Sequence, residues 1–188
     1  MPLTDDILIA LADELFDAET TRRAIAPLKP RCKGLTLTKS YAISRHNLKR
    51  RLRRGETLVG KKIGITSPAV QAMLGVDQPD FGFLTDRMMS GPDMVISDRL
   101  MQPRAEGELA FKLKTSLNGP GVTPADVIAA TEVVIPCFEV VDSRVADWKI
   151  AIEDTVADNA SCGLFILGEG VPPEGLDYPS LAMTVHKN

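Results

Sequence analysis

The sequence predicts an α+β fold, and two observations carry that reading. Helix-period apolar stripes fill the first 55 residues, whereas the runs that follow are mostly short, strand-like and rich in Val, Ile, Leu and Phe. With 188 residues, 44% of them hydrophobic and 25% charged, the chain has the composition of one globular unit. The expected division is a helical segment over residues 1–55 and a mixed β segment over 56–188, packed as one unit.

Thr4 followed by Asp5 and Asp6 marks a helix start, because acids in a first turn complement the helix dipole. Ile7, Leu8, Leu11, Leu15 and Phe16 then make its apolar stripe. Pro27 and Pro30 predict a loop. A second helix is expected from about Thr38, carrying Tyr41, Leu48 and Leu52 and ended by Gly55. Its basic tail, Lys49-Arg50-Arg51-Leu52-Arg53-Arg54, suits a helix C-terminus; a solvated end, a subunit contact and an anion site all stay open.

Residues 57–66 read as a strand in which Gly60 and Gly64 allow close backbone approach. Ser67-Pro68 opens a short helix that Gly75 stops. Residues 76–82 read as a loop and residues 83–85 as a strand. Thr123-Pro124 opens a helix through Ala130, residues 148–156 fit another, and Leu164-Phe165-Ile166-Leu167 is a buried strand ended by Gly168. Residues 181–186 alternate like a strand, and Lys187-Asn188 looks like the start of a hairpin turn. An unpaired strand there needs cover from another chain or segment.

A net charge of −3 leaves no nucleic-acid footprint. No apolar run is long enough to span a bilayer, and the N-terminus has no basic region of the signal-peptide type. Cys32, Cys137 and Cys162 are odd in number and far apart, which predicts free thiols and a reducing, cytoplasmic location. There is no P-loop, G-x-G-x-x-G, G-x-S-x-G or H-E-x-x-H. His46 and His186 read as surface or packing residues, so any chemistry rests on carboxylates and lysine.

Those carboxylates lie in two strand-like runs. In Arg104-Ala105-Glu106-Gly107-Glu108-Leu109, two acids spaced two apart point to one face of a strand, and Gly107 leaves little cover on the other. Glu139 is the one charge in Val133-Val134-Ile135-Pro136-Cys137-Phe138-Glu139-Val140-Val141, which reads as a buried strand despite Pro136. A lone acid there needs a cation, a hydrogen-bond network or a raised pKa. The residues alone leave a solvated sheet face open beside an all-oxygen cation site, and Arg104 is near enough in sequence to pair with the acids.

Five ordered motifs extend the reading: Lys62-Ile63-Gly64-Ile65-Thr66-Ser67, Asp77-Gln78-Pro79-Asp80-Phe81-Gly82, Gln102-Pro103-Arg104-Ala105-Glu106-Gly107-Glu108, Phe138-Glu139-Val140-Val141-Asp142-Ser143-Arg144, and residues 154–163. With them the chain resembles, over essentially its whole length, the 2-oxopent-4-enoate hydratase family of the fumarylacetoacetate hydrolase superfamily. The resemblance implies a mixed β-roll or barrel with flanking N-terminal helices, and Mg²⁺ or Mn²⁺ held by Glu106, Glu108 and Glu139. It implies Lys62 and Asp80 as catalytic residues and Ser161 as a residue lining the substrate pocket. The implied reaction is a hydro-lyase step, adding water to 2-hydroxypenta-2,4-dienoate to give 4-hydroxy-2-oxopentanoate in meta-cleavage degradation of aromatic compounds.

The related 4-oxalocrotonate decarboxylases share the metal motif but lack the acid of Pro79-Asp80-Phe81-Gly82, so Asp80 favours hydratase over decarboxylase. The resemblance further implies a homo-oligomer and allows a complex with such a decarboxylase. Family members continue past the position of Asn188, so the C-terminal part of the fold is expected to be missing. The competing expectation is a non-catalytic subunit or decarboxylase partner.

Overall fold

The computed structural model describes residues 3–93 and 95–186. Helix α1 (Asp5–Thr21) begins after an extended Thr4 with Asp5 and Asp6 in its first turn, and Arg22 closes it at a left-handed φ of 54°. Its face of Leu8, Leu11, Ala12 and Leu15 packs with Leu28, Leu35, Ile43 and Ala157, so the main core lies among helices. Pro27 and Pro30 do not make the expected loop: α2 spans Leu28–Arg31. Proline is tolerated in a first turn, where its missing N–H has no intrahelical partner. The buried Asp154 carboxylate takes the N–H groups of Leu28 and Lys29 at 2.6 and 3.0 Å.

Helix α3 (Leu37–Arg53) starts one residue before the expected Thr38, because the Thr36 hydroxyl caps it by accepting from Lys39 N–H at 3.4 Å. Its basic tail folds back onto α1. Arg50, Arg51 and Arg54 gather over the Phe16 ring at 4.7, 5.7 and 4.4 Å, and Arg50 and Arg51 pair with Asp13 and Glu19. The run therefore holds two helices together, with charge repulsion relieved by α1 acids.

Strand β1 (Leu58–Gly64) pairs antiparallel with β2 (Asp80–Thr85), placing Gly64 opposite Asp80 and Lys62 opposite Gly82. Asp80, Phe81 and Gly82 were expected in a loop. A ladder to a strand well upstream overrides the local Pro/Asp/Gly turn signal, since strand formation depends on the partner more than on propensity. Between these strands α4 (Pro68–Leu74) is capped by Ser67, which accepts from Val70 N–H at 3.2 Å, and Gly75 closes it at φ 65°.

The second sheet runs β3 (Arg104–Leu113), β4 (Thr131–Val141), β5 (Cys162–Leu167), all antiparallel, with β4 in the middle. Helix α5 (Pro124–Ala130) leads into β4 from a Thr123–Asp126 capping box. Helix α6 (Ile152–Ala157) is shorter than expected, because Trp148 sits in a 3₁₀ turn and donates its indole N–H to Gln102 O at 3.1 Å. Two isolated parallel bridges, Ile25–Val145 and Met89–Phe165, add to these antiparallel ladders, and the whole is α+β.

Residues 181–186 form no strand. Met183 and Val185 instead lie over Gly107, where a Cβ would meet Met183 Sδ at 2.5 Å, so this stretch covers the face of β3 that its glycine was expected to leave bare. The turn expected at Lys187-Asn188 falls outside the described residues. Among those described, the three cysteines are free thiols and no helix is long and apolar enough to cross a membrane.

Candidate active site

The face of β3 and β4 that carries the acids is fixed by register. Glu106 stands directly opposite Glu139, and Glu108 opposite Cys137. One carboxylate oxygen from each of Glu106, Glu108 and Glu139 lies within 4.8 Å of the others. Glu106 is exposed, Glu108 half-buried and Glu139 buried. Like charges across a ladder destabilise it, so the arrangement calls for a compensating cation.

One compensating charge comes from the first sheet. Lys62, on the inner face of β1, brings Nζ to 3.3 Å from Glu139 Oε1. The contact is an ion pair, and Glu139 Oε1 is otherwise buried without a hydrogen-bond partner. Lys62 Nζ does donate to Ala160 O at 2.9 Å. Burial opposes the lysine's charge, but Glu139 and Asp80 together outweigh it and hold the ammonium above its usual range. Glu139 is pushed up to about 7, chiefly by burial and then by Glu108 and Glu106, with Lys62 pulling the other way. Glu108 is raised for the same reasons, burial first and Glu106 after it.

Asp80, at the start of β2, is buried. Burial raises its pKa against the pull of Lys62. Its Oδ1 has no hydrogen-bond partner, and it approaches Gly64 so closely that a Cβ there would sit 2.4 Å away. Only glycine fits at 64 while Asp80 keeps this position. Asp80 Oδ2 meets the Thr155 hydroxyl at a long 3.5 Å, and Thr155 and Ser161 share a 3.0 Å hydrogen bond. All six residues singled out from the sequence (Lys62, Asp80, Glu106, Glu108, Glu139 and Ser161) thus join one constellation.

Arg104 does not pair with the acids in the contacts described; its guanidinium lies 4.2 Å from the centre of the Trp148 ring. Thr155 and Asn159 were not singled out, although both lie in the motif over residues 154–163 that supplied Ser161. Asn159, Ala160 and Ser161 hold consecutive left-handed φ values of 56°, 52° and 53°. Such a conformation costs about 1–2 kcal/mol for each residue with a side chain. Asp142 and Gln102, from two other motifs, brace the site. Asp142 accepts from the N–H groups of Met101 and Gln102, and the Gln102 amide bonds the carbonyls of Ser143 and Val145, anchoring the start of β3.

Comparison with known proteins places the chain among relatives. It is 60% identical over 181 residues to 2-hydroxypent-2,4-dienoate hydratase of Pseudomonas putida, covering 95% of this chain and 82% of that protein. To 2-keto-4-pentenoate hydratase of Burkholderia vietnamiensis it is 45% identical over 184 residues, covering 96% and 70%. Among solved structures, 4-oxalocrotonate decarboxylase from Pseudomonas putida G7, complexed with magnesium and adipate, superposes with a TM-score of 0.89 at 36% identity, covering 93% of this chain and 67% of that one. No protein-family profile matches the chain.

Proposed function

This chain belongs to the 2-keto-4-pentenoate hydratase family and is a hydro-lyase, and we propose that it adds water to 2-hydroxypenta-2,4-dienoate, giving 4-hydroxy-2-oxopentanoate in the meta-cleavage degradation of aromatic compounds. The observation that carries the reading is one juxtaposition: an unpartnered Asp80 oxygen and a charged Lys62 set against three clustered carboxylates. The greater identity to hydratases than to the decarboxylase supports hydration over decarboxylation.

The carboxylate cluster fits a divalent cation. Glu139 Oε1 is buried without a hydrogen bond, and three hard oxygen donors converge, which suits Mg²⁺ or Mn²⁺ held by Glu106, Glu108 and Glu139. When bound, such an ion supplies Lewis acidity toward the substrate's C2 oxygen. The chain's own groups move the protons. Asp80, with its pKa raised by burial, gives a proton to C5 as the dienol becomes the 2-oxo-3-enoate, and regains one from the C2 hydroxyl. Protonated again, it gives that proton to C3 as water attacks C4, and the carboxylate left behind takes the proton that the water releases. Lys62 stabilises the negative charge that develops on the enolate, and the Ser161 hydroxyl lines the pocket.

Asp80→Asn is expected to lower kcat on the order of 10²-fold with KM little changed, because the amide keeps the shape and loses the proton. Normal turnover with a raised KM would assign Asp80 to substrate recognition. Offering 2-hydroxymuconate as a second substrate and measuring CO₂ separates the decarboxylase reading; CO₂ release faster than hydration would overturn ours. Metal affinity gives a further test. A protonated Glu139 cannot ligate, so Mn²⁺ affinity is expected to rise between pH 6 and 8 and to fall as pH drops through about 7. A calorimetric affinity flat over that range would remove Glu139 from the ligand set.

The same proposal takes the two sheets as walls of one β-roll and the 1–55 and 56–188 segments as one unit, in a cytoplasmic homo-oligomer able to associate with a 4-oxalocrotonate decarboxylase. Val59, Ile63 and Phe81, exposed by 54%, 49% and 45% on the outer face of β1 and β2, support association. Sedimentation of a monomer at micromolar concentration would speak against the oligomer.

A further inference from the structure

Three successive left-handed residues between α6 and β5 each face a different part of the site. Asn159 turns its amide to β2: Oδ1 accepts from Phe83 N–H at 2.8 Å and Nδ2 donates to Phe83 O at 3.0 Å, the pair of bonds a neighbouring strand would provide. Ala160 presents its carbonyl to Lys62 Nζ at 2.9 Å. Ser161 reaches Thr155, whose hydroxyl meets Asp80 Oδ2. Immediately afterwards Cys162 begins β5, in the sheet that carries the three glutamates.

We infer that Asn159 is a positioning residue for the proton-transfer pair: its amide locks β2 to the left-handed turn and so sets where Asp80 and Lys62 stand against the carboxylate cluster. The residue type matches the task. Asparagine is among the few residues that visit the left-handed region readily, and its amide both donates and accepts. The opposing surface is shaped to receive it, since a Cβ on Gly82 would lie 2.6 Å from the Asn159 carbonyl oxygen. A run of left-handed residues at this point is the sort of backbone strain that clusters at functional sites. The inference rests on the assignment of Asp80 as the acid–base group.

The test uses the full chain with 2-hydroxypenta-2,4-dienoate and saturating Mg²⁺. Asn159→Gly keeps the left-handed backbone and removes both bonds to Phe83. It is expected to lower kcat about 10- to 100-fold, since a misplacement of about 1 Å can cost that much, while KM and Mn²⁺ affinity stay within about twofold. Asn159→Asp, which keeps the acceptor and loses the donor, is expected to fall between it and the wild type; should the glycine variant not fold, the aspartate variant carries the comparison. Introduced into Asp80→Asn, either change is expected to cost clearly less than it does in the wild type, because the acid–base group is gone and only Lys62 remains to be positioned. A full kcat in the folded variants, or losses that multiply in the double variant, would overturn the inference. Full kcat in Asp80→Asn alone would instead overturn the acid–base assignment beneath it.

Discussion

Glu108→Gln is expected to lower kcat/KM on the order of 10³-fold and to abolish tight Mn²⁺ binding, with the fold intact. Glu106, Glu108, Glu139, Lys62 and one divalent cation together sum to zero charge. Removing one carboxylate leaves that ensemble with an excess positive charge in a partly buried space, where Coulombic effects are large. It also removes an oxygen from a cluster that spans no more than 4.8 Å. The fold should not suffer, because glutamine keeps the volume and removes the repulsion from Glu108 that adds to burial in raising Glu139. The metal-free melting temperature is therefore expected to hold or rise slightly. Calorimetry with Mn²⁺, an assay of the diene's loss and a thermal melt check the three parts. Unchanged metal affinity would take Glu108 out of the site.

What could be read from sequence alone follows from how local each signal is. The Glu-x-Glu pair and the lone Glu139 are legible because strand periodicity puts neighbours two apart on one face, whatever the partner strand. Their opposition across the β3–β4 ladder, Glu106 against Glu139, needed the register. Asp80 was named but placed in a loop, because Pro79 and Gly82 are turn residues and the strand it joins lies well upstream. The expected strand at residues 181–186 failed for the converse reason. Alternation is a local signal, and these residues are used to cover Gly107 rather than to extend a ladder. Asn159 and Thr155 left no mark beyond their motif, since a left-handed backbone on residues other than glycine has no pattern in composition.

The other large effect concerns a group that no functional reasoning selects. Arg144, 4% exposed, is held from every side: Nε pairs with Asp158 Oδ1, one terminal nitrogen donates to Cys162 O at 3.0 Å, the other to Asp158 O at 2.7 Å. Its backbone N–H adds a bond to Asp158 Oδ2 at 2.8 Å. Burial works against the guanidinium, yet Asp158 and Glu19 outweigh it and keep it charged. Arg144→Leu leaves Asp158, also 4% exposed, as a buried anion without its counter-ion, and is expected to cost about 3–5 kcal/mol. That is a large part of the roughly 5–15 kcal/mol that holds a typical domain together. Arg31→Leu, which breaks a pair with Glu14 whose side chains are 39% and 35% exposed, is expected to stay within about 1 kcal/mol. Replacing both Arg144 and Asp158 by leucine should recover much of the loss, because the penalty belongs to the unpaired charge and not to the absence of an ion pair. Urea midpoints of the four proteins decide the matter. Equal losses for Arg144→Leu and Arg31→Leu would mean that water reaches Asp158. A large loss, in contrast, carries a functional consequence, since Asp158 immediately precedes the turn that holds Lys62: Arg144→Leu should then lose turnover at temperatures where it is still mostly folded.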